Sequence, residues 1–326
     1  MGRGMSGGLR PAPVVAWAAV LVLAGTGCLA TPVAGRTGGS RAITGRVATA
    51  ADPVRTPLTS LTSLTSLAPL AAGLLRLAAA GDRAAAGELA ARRAELRDPR
   101  LATAVAVQLG PQGMVEIPAA LALNLMGVLA DRGDLATAER SNAEVLAAAG
   151  DILAAATTPS NRPHVPAGWT ARLEAEGRAR HLISAPGTDQ YYGYWALAQI
   201  LRASGQDSPY SAAFVSTVGG DLIGWVRSSS TSPVNLAEPF ALGPSSLNQP
   251  GVVDSGGGGR SSSVSGLLIG LLHAAATSPQ GTRVLLAAIP PGSESSNLSY
   301  LLSRPGYWWD DAGNQLAGAL ATTRQP

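Results

Sequence analysis

Beyond residue 66 the apolar positions of the chain recur with helical spacing, and the interruptions fall at residues that stop helices. Leu67 to Ala80 is an apolar run closed by Gly81-Asp82, and the Ala- and Arg-rich stretch Arg83 to Arg97 follows before Asp98-Pro99 restarts the chain. Leu101 to Leu109 stops at Gly110-Pro111, Ile117 to Arg132 stops at Gly133-Asp134, and Leu135 to Thr157 is a long alanine-rich helix. Further on, Phe214, Val218, Leu222 and Trp225 share one helical face, with Ser208-Pro209 as N-cap and first residue. That spacing makes Trp225 a buried anchor. Tyr191, Tyr194, Leu197 and Leu201 form a similar stripe. The pattern predicts helices over Val264 to Ala276, from Ser278-Pro279, over Asn297 to Ser303, and from a cap at Asp310-Asp311 through Thr322. No alternating β-branched run is long enough for a sheet. The fold expected is all-α, an irregular multi-helix bundle over residues 67–323.

Two segments break the helical pattern. Residues 28–66 are rich in Gly, Thr, Pro and Ser and end in the repeat Leu58-Thr59-Ser60, echoed through Ser66. They read as a flexible tether reaching ~35 Å as a coil. Residues 228–262 turn to Ser, Pro, Gly and Asn, a surface loop between helical blocks. The Gly-Asp turns at residues 81 and 133 lie too far apart for a 34-residue helical-hairpin repeat, so a solenoid is not expected.

The start of the chain reads as an address. Arg3 and Arg10 precede the uncharged run Val14 to Ala24, of export-signal length and short of the roughly 20 residues a membrane span needs. Leu23-Ala24-Gly25-Thr26-Gly27-Cys28 ends that run and resembles a bacterial lipoprotein signal, which implies removal of residues 1–27, lipidation of Cys28 and attachment to the extracytoplasmic face of the membrane. The competing cut after Ala30 gives a secreted chain without cysteine. Neither product can form an internal disulfide.

Composition narrows the chemistry. All 24 basic residues are Arg, which excludes a P-loop lysine, a Schiff-base lysine and a Ser/Lys pair. One Cys and three His cannot supply a four-ligand Cys/His zinc site, and no metal or cofactor is expected. Removing Arg3 and Arg10 leaves 22 basic and 21 acidic residues, a charge near +1, with no basic aromatic-bearing patch for nucleic acid. Between Cys28 and Gly168 there is no Phe, Trp or Tyr. The front of the domain, to about residue 168, must therefore pack on Ala, Leu, Val and Ile, and the back, from Trp169, on large aromatic anchors.

Leu109-Gly110-Pro111-Gln112-Gly113, Tyr192-Gly193-Tyr194-Trp195-Ala196-Leu197, Val218-Gly219-Gly220-Asp221-Leu222-Ile223-Gly224-Trp225 and Val264-Ser265-Gly266-Leu267-Leu268 occur in that order. Together they resemble an uncharacterised helical family of actinobacteria, found in polymorphic-toxin or specialised-secretion settings. The resemblance implies an all-helical fold and an envelope or secreted partner, and no assigned reaction. Ser262-Ser263 stand where that family has Asp-Pro, and no catalytic domain follows the last helix, which speaks against a toxin role.

For catalysis the strongest residues are Asp310 and Asp311 beside Trp308 and Trp309, two carboxylates with aromatic platforms for a sugar. Adjacent residues point apart, so Glu238 or Asp254 would have to complete such a pair; a helix cap beside buried indoles accounts for the same residues and is preferred. Gly256 to Gly259 reads as loop filler, and His273 as a satisfied core or boundary histidine. No Gly-x-Ser-x-Gly elbow is present. The sequence thus points to a non-enzymatic scaffold or interaction protein of the cell envelope, with carbohydrate hydrolysis by the Trp308 to Asp311 cluster as the alternative.

Overall fold

The computed structural model describes residues 61–131, 133–182, 190–204, 207–229, 262–304 and 312–324. Cys28, the export signal, Glu238, Asp254, Gly256 to Gly259 and the Trp308 to Asp311 cluster lie outside them. The described residues are helical throughout, apart from one short ribbon and the connecting turns. In chain order they are α1 (Leu61–Ala79), α2 (Arg83–Ala91), α3 (Arg93–Leu96), α4 (Pro99–Ala130), α5 (Leu135–Thr157) and α6 (Trp169–Arg178). The strands β1 (Arg180–Leu182) and β2 (Gln190–Tyr192) follow, then α7 (Gly193–Ala203), α8 (Ala212–Ser229), α9 (Ser262–Ala276), α10 (Pro279–Ala287), α11 (Asn297–Leu302) and α12 (Ala312–Thr322). None of these helices is long and apolar enough to cross a membrane.

Local chemistry sets the helix ends in the front half. Asp82 caps α2 through Ala84 N and Ala85 N at 2.9 and 3.1 Å, Asp98 caps α4 through Arg100 N at 2.8 Å, and Asp134 caps α5 through Thr137 N at 3.1 Å. Inside α4 the chain turns at Gly110, where φ is 70° and ψ 169°, a conformation open to glycine, and Pro111 begins a second helical stretch.

The first helix starts at Leu61, so residues 61–66 of the expected tether are helical. The expected single helix from Arg83 to Arg97 is broken at Arg92. Beyond that break Arg93 and Arg97 both reach Asp151 of α5, with Nε to Oδ2 distances of 2.6 and 3.1 Å. Asp151 is fully buried, and the two guanidiniums offset the cost of taking its charge out of water.

α5 is the central helix, packed against α1, α2, α3, α4 and α7. Six of its fourteen buried positions are Ala, beside Val145, Leu146, Ile152 and Leu153. Small side chains let neighbouring backbones come close: a Cβ on Gly150 would sit 3.0 Å from the Ile200 carbonyl oxygen. A single hydrophobic cluster runs from Ala68 to Ala319 and takes in Trp169, Tyr194, Trp195, Tyr210 and Phe214. Aromatic-poor front and aromatic-anchored back therefore share one core.

In the back half, α8 buries Phe214, Val218 and Leu222, as their spacing predicts. Its cap is Ser211, whose Oγ accepts from Phe214 N at 3.1 Å, rather than the expected Ser208. Ser228 and Ser262, the expected loop ends, belong to α8 and α9. The chain also forms a short ribbon where its sequence carries no strand signal. β1 and β2 pair antiparallel, Arg180 opposite Tyr192 and Leu182 opposite Gln190. Three residues per strand are too few to show alternation. His181 stacks on Tyr191 at 5.2 Å, and Gly193 N donates to Ala179 O at 3.1 Å, so the ribbon locks α6 to α7.

Candidate functional site

An open groove of about 600 Å³ lies between α6, α8 and the loop from α10 to α11. α6 contributes Glu174 and Arg178, one turn apart and therefore on one face. α8 contributes Thr217, Gly220, Asp221, Gly224, Trp225 and Ser228, which recur every three or four residues along its exposed side. A Cβ added at Gly220 or Gly224 would meet nothing within 4 Å among the described residues. Both glycines give up helix propensity for width at the groove floor.

Ala288, Ile289, Pro290, Pro291 and Asn297 form the third wall. Arg227, at the end of α8, pins that wall. Its guanidinium donates to Ser293 Oγ and, at 3.2 and 2.7 Å, to the carbonyls of Ser295 and Ser296, and it lies 4.2 Å from the Tyr300 ring centre.

Asp221 is held from both sides. Arg178 Nη1 donates to its Oδ1 at 2.6 Å, and the Tyr194 hydroxyl donates to its Oδ2. Burial, reinforced by this hydrogen bond to Asp221, raises the Tyr194 phenol far above its ordinary range, so it remains a proton donor. Glu174 is placed differently. Its Oε1 is closed off from solvent and meets no donor among the described residues. Burial first, and the Asp221 charge second, push its carboxyl above the usual glutamate value, with Arg178 opposing. Two carboxylates thus share one groove in unlike environments, one fully bonded and one wanting a proton or a donor.

Trp225 is half-buried in the wall rather than the fully buried anchor its spacing predicts. Its indole meets the rings of Tyr192 and Tyr194 at 5.0 and 5.5 Å, leaving part of the ring to the groove. Its helical phase places it on the buried face, and it is the groove opening beside it that leaves the ring partly exposed.

Glu174 gives a prediction with a definite sign. Its folded carboxyl binds a proton more tightly than in the unfolded chain, so ionising it costs stability as pH rises from the ordinary value of 4.5 through the raised one. Glutamine never ionises. Glu174→Gln will therefore melt above the wild type at pH 7, and the gap will close below pH 4.5; a gap independent of pH would contradict the assignment.

His273, on α9, is half-buried with Nε2 3.2 Å from the Ser204 carbonyl oxygen and does not line the groove, in keeping with a boundary histidine. Among the described residues no group of three or more His, Cys, Asp or Glu is arranged to hold a metal.

Sequence reasoning passes over Glu174, Arg178 and the role of Asp221. One signal was present: Gly220 and Gly224 stand on the same helical face as Asp221 and Trp225. Glu174 and Arg178 sit more than forty residues earlier on a polar helix, and nothing in the sequence ties them to α8. No family model, curated protein or solved structure matches the chain.

Proposed function

We propose that this is a non-catalytic interaction protein of the cell envelope, exported and held at the extracytoplasmic membrane face through a lipid on Cys28, and that the groove between α6 and α8 engages an envelope or secreted partner. The observation carrying this reading is the groove itself. It is open, of a size ordinary for binding sites, and combines an exposed apolar wall with few polar groups. Ile289, 62% exposed in its wall, is a large apolar side chain left to water beside Pro290 and Pro291.

Paired carboxylates beside an indole favour a second reading, hydrolysis of an envelope polysaccharide, moved from Asp310 and Asp311 to Glu174 and Asp221. Against it, both oxygens of Asp221 already accept hydrogen bonds. Incubating the full chain with peptidoglycan and envelope polysaccharides separates the two. The interaction reading expects no cleavage; cleavage abolished by Glu174→Gln, or by Asp310→Asn or Asp311→Asn, with the fold intact, overturns it. The address is tested separately. Cys28→Ser should release the protein from the membrane fraction or leave it uncleaved, and unchanged fractionation and mobility would contradict the lipid anchor.

A further inference from the structure

The polar atoms that the groove leaves unmatched are of one kind. Glu174 Oε1 and Asn297 Oδ1 are both buried without a partner among the described residues, and both are acceptors. Asn297 itself is 1% exposed, and its amide nitrogen is committed to the Leu285 carbonyl at 2.8 Å. The groove lining thus leaves acceptors rather than donors unmatched, which favours an occupant that brings donors. Charge points the same way: two carboxylates, Glu174 and Asp221, face one guanidinium, Arg178. The Trp225 indole lines the groove, an aromatic ring of the kind that attracts a cation, and Ile289, Pro290 and Pro291 offer apolar surface to the stem carrying it. The molecule already uses this pairing elsewhere: Arg180 lies 5.1 Å from the Tyr192 ring, and Arg227 and Arg304 lie 4.2 and 5.4 Å from that of Tyr300.

Resting on the interaction reading, we propose that the groove takes a basic side chain, an arginine or lysine on an extended segment of the partner protein, its cationic head against Glu174 and its stem between Trp225 and the Ile289–Pro291 wall. An open groove suits a side chain projecting from a longer chain better than a free amine, which an enclosed pocket would hold. Binding is linked to pH. The groups facing Glu174 are Arg178 on its own helix, Asp221 on α8 and Tyr194 on α7; a cation arriving there favours the ionised carboxylate and releases a proton. Affinity should therefore fall on acidification, through Glu174.

The test is titration calorimetry of the full chain with acetyl-arginine amide and acetyl-lysine amide, against the neutral acetyl-norleucine amide and the free diamine 1,4-diaminobutane. The cationic amides are expected to bind at least about tenfold more tightly than the norleucine amide. Glu174→Gln should remove most of that preference and flatten its pH dependence, with melting and circular dichroism as controls of the fold. Equal binding of norleucine and arginine amides overturns the proposal, as does a preference untouched by Glu174→Gln. Binding of the diamine alone overturns the side-chain source. The two readings fail separately: polysaccharide cleavage would sink the interaction reading with cation binding intact, and a groove-dependent envelope partner without cation preference would sink only the present proposal.

Discussion

Gly270→Ala will destabilise the protein by about 3 kcal/mol, near the upper end of what overpacking a core costs. Gly270 lies where α9 crosses α7, and an added Cβ would stand 2.2 Å from the Ala198 carbonyl oxygen and 2.8 Å from its carbonyl and α carbons. Those are backbone atoms of a buried helix, so no side chain can swing aside and α9 must move as a body. For a domain of this size the loss lowers the melting temperature by roughly 6–12 °C. Gly73→Ala is the control. It sits in α1 with none of the described residues within 4 Å of the new methyl, and should gain up to about 1 kcal/mol from helix propensity. If the two variants melt alike, the close packing of α7 on α9 is wrong.

Trp169→Ala will cost about 3–5 kcal/mol, the range for deleting a buried indole. Trp169 is 1% exposed and opens α6, the helix that carries Glu174 and Arg178 into the groove. Its loss therefore strikes fold and site together. Trp225→Ala should cost less, about 1–2 kcal/mol, because the groove already exposes part of that ring. Chemical denaturation of both variants checks the order, and a larger loss at Trp225 would return it to the core.

The features legible in the sequence were those written in one local stretch. The limits of α5 follow from Asp134 ahead of an uninterrupted alanine-rich run ending at Thr157, and the break in α4 from Gly110-Pro111. The buried face of α8 followed from period alone. What escaped depended on distant partners or on weak local pattern. α6 is polar along most of its length, and its buried face is only Trp169, Leu173 and Gly177; the last is glycine because a Cβ there would stand 2.6 Å from the Tyr194 ring. The Leu-Thr-Ser repeat masked the start of α1, since serine and threonine lower helix propensity while the leucine spacing still suits a helix. Ser211 rather than Ser208 caps α8 because Tyr210 is drawn into the core, its backbone N–H bonded to Thr277 Oγ1 at 3.1 Å. The groove was the least legible feature. Its carboxylates come from helices brought together only by packing, and its chemistry lies in an oxygen of Glu174 left without a partner among the described residues.

The proposed part of the groove in binding is tested most directly by site-specific photocrosslinking in intact cells. A photoreactive residue replaces Thr217 or Ser228 at the groove, or Val107, which is 49% exposed on α4 and is not among the groove-lining residues. Each is repeated with Gly224→Leu, which fills the groove where an added Cβ meets nothing among the described residues and favours the helix. The account predicts one discrete adduct from both groove positions, none from Val107, and its loss in the Gly224→Leu background with melting temperature preserved. The same adduct from Val107, or its survival in the filled groove, would contradict it.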